Sequence, residues 1–323
     1  MKSPHRTLLS RRGFCLCCIG SASFAATGGW LSPREVFGQA RGIVQSMRAA
    51  AAAAAITVHP LRGNVSVLEG SGGNIAVLTG PDGKVLVDAG IGVSRPRIAE
   101  ALTKLSADPI RYLINTHWHF DHADGNEWLN GEGAIIFAHE NARKHLAAAQ
   151  RVEDWDFNFP PSPAAALPTE IISADRILRL NGTSLALRHY GPAHTDGDIS
   201  VTFQEPDIVH TGDIYWSAGY PFIDHSTGGS IGGTIRAVEA ILSATTERTI
   251  VVPGHGYPAS NKAELSDYHA MLVDVRDSVA SLKKQGRTLA QAIEAKPTAA
   301  YDAKWGQYAI DPASFTRLVY AGV

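Results

Sequence analysis

Six consecutive residues, His117-Trp118-His119-Phe120-Asp121-His122, place three imidazoles and a carboxylate directly behind the apolar run Tyr112-Leu113-Ile114. Such a run reads as a buried strand, which Asn115-Thr116 carries out to the edge of a sheet. Histidines at alternate positions of an extended segment point the same way, so His117 and His119 share a direction. A turn after them brings Asp121 and His122 to a neighbouring point. Imidazoles and a carboxylate crowded at a buried strand end need protons, water or metal to satisfy them. The spacing suits two metal ions side by side better than one.

Four further stations repeat one design, an apolar strand followed by a ligand-type residue beside Gly or Pro, where the backbone can turn sharply. Val85-Leu86-Val87 leads into Asp88-Ala89-Gly90, and the strand-like residues 184–190 lead into Gly191-Pro192-Ala193-His194. Ile208-Val209-His210 leads into Thr211-Gly212-Asp213, and Ile250-Val251-Val252 into Pro253-Gly254-His255-Gly256. In order, spacing and flanking glycines, the five stations together resemble the metallo-β-lactamase-fold superfamily, over roughly residue 56 to the helix after His255.

That resemblance implies an α/β (α+β) fold, a four-layer αβ/βα sandwich with two sheets back to back and helices outside. It implies two zinc ions per chain. His117, His119 and His194 would hold the first, Asp121, His122 and His255 the second, and Asp213 would bridge them. Nitrogen and oxygen donors of this kind suit zinc, although iron and manganese accept similar sets. A histidine at position 119, where the flavo-diiron branch has Glu, favours zinc. Asp88 would lie under the site and accept a hydrogen bond that orients a ligand. Two such ions about 3.5–4 Å apart can share a hydroxide near neutral pH. In the family that hydroxide attacks the substrate, and Asp121 is placed to orient it and pass a proton.

The substrate expected on this basis is a small molecule with an ester, lactone, thioester or amide bond. Hydrolysis of β-lactams is one competing reading; against it, Trp216 stands three residues past Asp213, where cysteine-ligand lactamases place a lysine. A glyoxalase II-like thioesterase is another. Its bridging aspartate matches, but residues 285–323 offer only Arg287, Lys296, Lys304 and Arg317 where that branch carries a basic glutathione-binding region. A non-enzymatic periplasmic metal-binding accessory protein would be expected to lose a ligand, and none is lost. A mononuclear iron protein like the persulfide dioxygenases is separable from all of these by metal content. Tyr220 and His225, in the loop of residues 220–230 after the bridging aspartate, and Trp118, between two ligands, are the candidate substrate contacts.

The chain has 323 residues, 45% of them hydrophobic, and no internal repeat, which suits one catalytic domain at residues 56–323. A formal charge of −2 argues against a nucleic-acid partner. Ser10-Arg11-Arg12-Gly13-Phe14-Cys15-Leu16 resembles a twin-arginine export signal, so residues 1–40 are expected to be a signal peptide cut after Gly38 and Ala40, with a periplasmic or secreted product. Its apolar stretch is too interrupted for a stable membrane span. Without those residues, which include Lys2, Arg6, Arg11, Arg12, Arg34 and Glu35, 24 basic side chains face 30 acidic ones. All three cysteines, Cys15, Cys17 and Cys18, fall in the signal, so the mature chain has no thiolate for zinc. Residues 41–55, with their alanine run, read as a frayed helical linker. Helices are expected over 94–106, 124–129, 141–151, 235–242 and 264–284, with a proline-rich rim loop at 160–168. Oligomeric state is not legible.

Overall fold

The structure is a computed structural model, and it describes residues 42–323. The twin-arginine segment, the three cysteines and the cleavage positions lie outside the described residues. Among the described residues, no helix is long and apolar enough to cross a membrane.

Two sheets dominate. The first has the order β1-β2-β3-β4-β5-β6-β9, built from Thr57–Pro60, Val65–Glu69, Ile75–Leu78, Lys84–Val87, Ile110–Ile114, Ile135–His139 and Glu170–Ile172. β1 to β4 form an antiparallel meander, and β4, β5, β6 and β9 then run parallel. The second sheet has the order β10-β11-β12-β13-β14, built from Arg176–Leu180, Thr183–His189, Ile199–Phe203, Ile208–His210 and Ile250–Val252. Its last pair is parallel. A small ribbon, β7 (Gln150–Val152) against β8 (Phe157–Phe159), stands apart.

The two-residue period of a strand decides which side chains meet. Val65, Val67, Val85, Val87 and Ile114 point between the sheets, onto Leu185, Leu187, Val201, Phe203 and Val252 of the second sheet. Leu68, Leu86 and Leu113 point the other way, onto Ile98, Ala101 and Leu102 of a helix at Arg95–Leu105. On the far face of the second sheet, Val209 and Val251 pack with helices at Ile231–Ala244 and Lys262–Lys284. Sheets covered on both faces need near-continuous apolar strands, which these are. The result is the four-layer αβ/βα sandwich.

In chain order the helices are α1 (Ile43–Ala53), α2 (Arg95–Leu105), α3 (Phe120–Ala123), α4 (Asn126–Gly131), α5 (Glu140–Ala147), α6 (Ile231–Ala244), α7 (Lys262–Lys284), α8 (Leu289–Glu294), α9 (Asp302–Trp305) and α10 (Pro312–Ala321). Three local expectations are corrected. The alanine run is part of α1, whose Ile43, Val44, Ala50 and Ala51 are buried and whose Ala51 carbonyl accepts from Ser94 Oγ and Arg97. It is therefore packed, not a tether. The helix expected over 141–151 stops at Ala147, because Gln150 to Val152 pairs with Phe157 to Phe159 instead. The helix expected over 124–129 is α4, shifted to Asn126–Gly131, and a separate turn, α3, precedes it, so Asp121 and His122 sit on a helical turn.

Candidate metal centre

The carboxyl ends of β4, β5, β13 and β14 open toward one edge, the usual place for a site in sheets with parallel strands. β5 runs out through Asn115 and Thr116, and His119 marks the start of α3 with φ −58° and ψ 147°. The change from extended to helical backbone there swings Asp121 and His122 onto a second direction. His194 comes from the β11–β12 loop, Asp213 from the turn after β13, and His255 from the turn after β14. All seven side chains are buried, none more than 5% exposed.

The structure brings them together in overlapping groups: His117, His119 and His194; Asp121, His122 and His255; and His117, His122 and Asp213. His119 Nδ1 and His194 Nε2 are 2.9 Å apart, and His122 Nε2 and His255 Nε2 are 3.3 Å apart. Asp213 lies between the groups, with Oδ1 3.1 Å from His122 Nε2 and Oδ2 3.3 Å from His255 Nε2 and 3.5 Å from His194 Nε2. Asp121 Oδ2 is 3.1 Å from His255 Nε2.

The outer contacts assign the tautomers. His119 Nε2–H donates to Asp224 Oδ2 at 2.9 Å, and His194 Nδ1–H donates to the Phe222 carbonyl at 2.7 Å. Each inner nitrogen is therefore a lone pair, and their 2.9 Å approach sets acceptor against acceptor. His122 Nδ1–H donates to Asp88 Oδ2 at 2.8 Å, so its Nε2 is the nitrogen that faces Asp213 and His255. Thr116 Oγ1–H donates to Asp88 Oδ2, so His117 Nδ1–H donates to Thr116 Oγ1, at 3.0 Å. His117 Nε2 is buried with no hydrogen-bond partner. Lone pairs converging in a buried space are reconciled by a cation, so this donor set fits divalent metal, with zinc the typical choice for nitrogen and oxygen ligands.

Asp88 holds a left-handed backbone, φ 69°, and accepts from the Thr116 backbone N–H as well. Such strain in a non-glycine residue persists where surrounding bonds over-determine it. Gly73 and Gly254 let backbone close on the ligands. A methyl on Gly73 would lie 2.1 Å from the His122 ring, and one on Gly254 2.0 Å from Asp213 Oδ1.

In the metal-free protein, charges follow the carboxylates. Burial opposes ionisation of His255, but Asp213 and Asp121 outweigh it and raise its pKa to about 9. Burial likewise opposes a charge on His122, and Asp213, Asp121 and Asp88 together push it well above the usual imidazole range. His117 goes the other way, well below that range, through burial and the neighbouring His122. Asp213 is held far below the ordinary carboxylate range, because His255 and His122 overcome its burial.

Of the candidate substrate contacts, Trp118 is buried beside the ligands and its indole N–H donates to Thr227 Oγ1 at 3.1 Å. Tyr220 and His225 are placed against α10. The Tyr220 ring is wholly buried, stacked on Phe315 of α10 at 4.5 Å, with its hydroxyl donating to Asp302 and the Thr298 carbonyl. It is core, not groove wall. His225 is bonded through Nε2 to the Leu318 carbonyl of α10 at 2.9 Å. The residue of that loop that touches the centre is Asp224, which the sequence reading did not single out. Asp224 Oδ2 also accepts from Thr227 Oγ1 at 2.6 Å, and its Oδ1 accepts from the Ser226 N–H at 2.9 Å. Its only signal in the sequence is an acidic residue beside the Gly228-Gly229 turn.

Fold and site define a metallo-hydrolase scaffold with a histidine- and aspartate-rich centre. The family model described as the metallo-beta-lactamase superfamily matches residues 68–255. The chain belongs to that superfamily. It is 30% identical to a hydroxyacylglutathione hydrolase of Cereibacter sphaeroides over 178 residues, 54% of this chain and 61% of that one. The chain thus spans 50% to 61% of the length of the curated relatives it matches first. Among solved structures, the inverting sec-alkylsulfatase Pisa1 from Pseudomonas sp. shares the fold with a TM-score of 0.62 at 16% identity, covering 82% of this chain and 50% of that one. A metallo-beta-lactamase from Pontibacter korlensis has a TM-score of 0.54 at 16% identity, covering 68% of this chain and 99% of that one.

Proposed function

We propose that this protein is a zinc-dependent hydrolase that holds two ions and cleaves an ester, lactone, thioester or amide bond in a small molecule. The observation that carries the reading is the set of converging lone pairs on His117 Nε2, His119 Nδ1 and His194 Nε2, the first of them unpartnered in a buried space. In this reading His117, His119 and His194 hold one ion, Asp121, His122 and His255 the other, and Asp213 lies between them. Bound there, the pair would supply Lewis acidity, lowering the pKa of a water and polarising the substrate oxygen. The chain's own groups do the rest. Asp88 and Asp224 keep imidazole lone pairs aimed inward, and burial of every ligand keeps bulk water away. Asp121 is the group we assign to orient the attacking water and take its proton. It is the carboxylate of the set that does not lie between the two histidine groups.

A glyoxalase II-like thioesterase is the second reading, favoured by the 30% identity over 178 residues to a hydroxyacylglutathione hydrolase. β-Lactam cleavage is less favoured, since Trp216 stands where a carboxylate-gripping lysine would be expected. Export through the twin-arginine route belongs to the same proposal, and Arg11→Lys with Arg12→Lys should leave precursor in the cytoplasm. Equal periplasmic yield from the double variant would refute it. The function itself is tested by metal content together with a panel of chromogenic esters, lactones, thioesters and cephalosporins. About two zinc per chain with turnover of an acyl substrate is expected. One iron per chain, or metal binding with no hydrolysis, would overturn it.

A further inference from the structure

Two indoles flank the centre. Beside the first ligand group, the Trp155 ring stands 4.9 Å from His119 and stacks on Phe222 at 5.1 Å with a 25° interplanar angle. Beside the second, the Trp216 ring stands 4.5 Å from His255. Both tryptophans are buried, at 6% and 5% exposure, and among the described residues neither indole N–H has a hydrogen-bond partner. A buried donor left without an acceptor costs roughly 1–3 kcal/mol, so such a group in a native protein asks for a ligand or water that takes it. Trp155 is carried on the turn between β7 and β8, and the Glu153 backbone N–H ties that turn to Ser226 Oγ at 3.3 Å.

The charges that act most strongly on His117, His119, Asp121, His122, Asp213 and His255 are those of the ligands themselves and of Asp88 and Asp224; no lysine or arginine is among them. A carboxylate carried on the flanks of a substrate would therefore lose its hydration against aromatic faces. Those faces are the negative side of the ring quadrupole. An alkyl or aryl group gains burial in the same place, at about 25 cal/mol per Å².

We propose that the site takes an uncharged substrate with apolar groups on both sides of the scissile acyl centre and neutral oxygen acceptors for the indole N–H groups. The inference rests on the hydrolase reading for the acyl centre alone. It is tested first by binding, with two ketones that cannot be hydrolysed and differ only by a terminal carboxylate, butyrophenone and 3-benzoylpropionate. Calorimetric titration of the metal-loaded protein should give at least about tenfold tighter binding of butyrophenone, and Trp216→Lys should narrow or reverse that ratio. Equal affinity, tighter binding of the carboxylate, or binding of neither overturns the proposal. The wild-type comparison decides the matter even if Trp216→Lys does not fold. Hydrolysis of phenyl butyrate and of the phenyl hemiester of succinate is then measured in parallel. A preference among the ketones with neither ester cleaved would sink the hydrolase reading and leave the apolar site standing. Cleavage of both esters at equal kcat/KM, with no preference among the ketones, would do the reverse.

Discussion

Replacing Asp224 by Ala removes one carboxylate and three accepted hydrogen bonds, from His119 Nε2 at 2.9 Å, Thr227 Oγ1 at 2.6 Å and the Ser226 N–H at 2.9 Å. Burial opposes ionisation of Asp224, but the hydrogen bonds from His119 and from the Thr227 hydroxyl hold its carboxyl at about 2 against an ordinary 3.8. That displacement corresponds to about 2 kcal/mol of folded-state stability. Because the folded pKa is depressed, the contribution is present above about pH 4 and is lost as pH falls through about 2. Loss of a charged hydrogen bond gives a similar figure, about 1.5–3 kcal/mol. At the centre, the variant frees the His119 ring to rotate or change tautomer, and loss of such a partner weakens metal binding about 10- to 100-fold. The second group should be spared, since His122 is oriented by Asp88, on a different strand end. Zinc competition against a chelator, with cobalt stoichiometry as a check, should therefore show one ion weakened and one retained. Asp224→Asn, which keeps an acceptor, should recover part of the loss. Equal weakening of both ions, or of neither, would refute the claim that the two groups are held by separate carboxylates.

Asp213→Ala should lose most bound metal and nearly all hydrolysis, read by metal analysis and turnover, because it deletes the carboxylate lying between both groups. Gly254→Ala should lower metal retention and cost about 1–3 kcal/mol in a denaturant titration, since its methyl would lie 2.0 Å from Asp213 Oδ1. Gly131→Ala, with nothing within 4 Å of the new methyl, is the control and should be neutral or stabilising. His225→Ala should lower Tm through loss of its bond to the Leu318 carbonyl while metal content and kcat/KM stay at wild-type values; a changed KM would return it to the groove. In metal-free protein the His255 pKa is raised to about 9 from 6.5. Its protonated form therefore stabilises the fold fully below about pH 6.5, and that contribution is lost as pH rises through 9. Metal affinity runs oppositely, rising up to about tenfold per pH unit for each proton displaced until about pH 9. A chelator-treated sample whose Tm climbs between pH 7 and 9.5 would contradict this.

Much of the centre was legible in the chain because its signals are local. The two-residue period of Val85-Leu86-Val87 and Tyr112-Leu113-Ile114 marks buried strands, and the glycines after them mark the turns that carry Asp88 and the histidines to one edge. Which residues would be ligands is what the resemblance carried by the five stations implies, and the stations are read from residue type, order and spacing along the chain. Partnership is another matter. His119 and Asp224 are 105 residues apart in the chain, and an acidic residue in a glycine-rich loop looks the same whether it faces water or an imidazole. The aromatic and histidine residues around Asp224 drew attention to the same loop, yet Tyr220 and His225 are occupied by the C-terminal helix. The alanine run carries no amphipathic stripe strong enough to announce burial, and it is packed because Ser94 and Arg97 of another segment claim its carbonyl. Short-range periodicity and backbone chemistry determined the elements and the donor atoms. Only the packing of the two sheets decided which loop orients which ligand, because that depends on contacts between segments that the chain order leaves far apart.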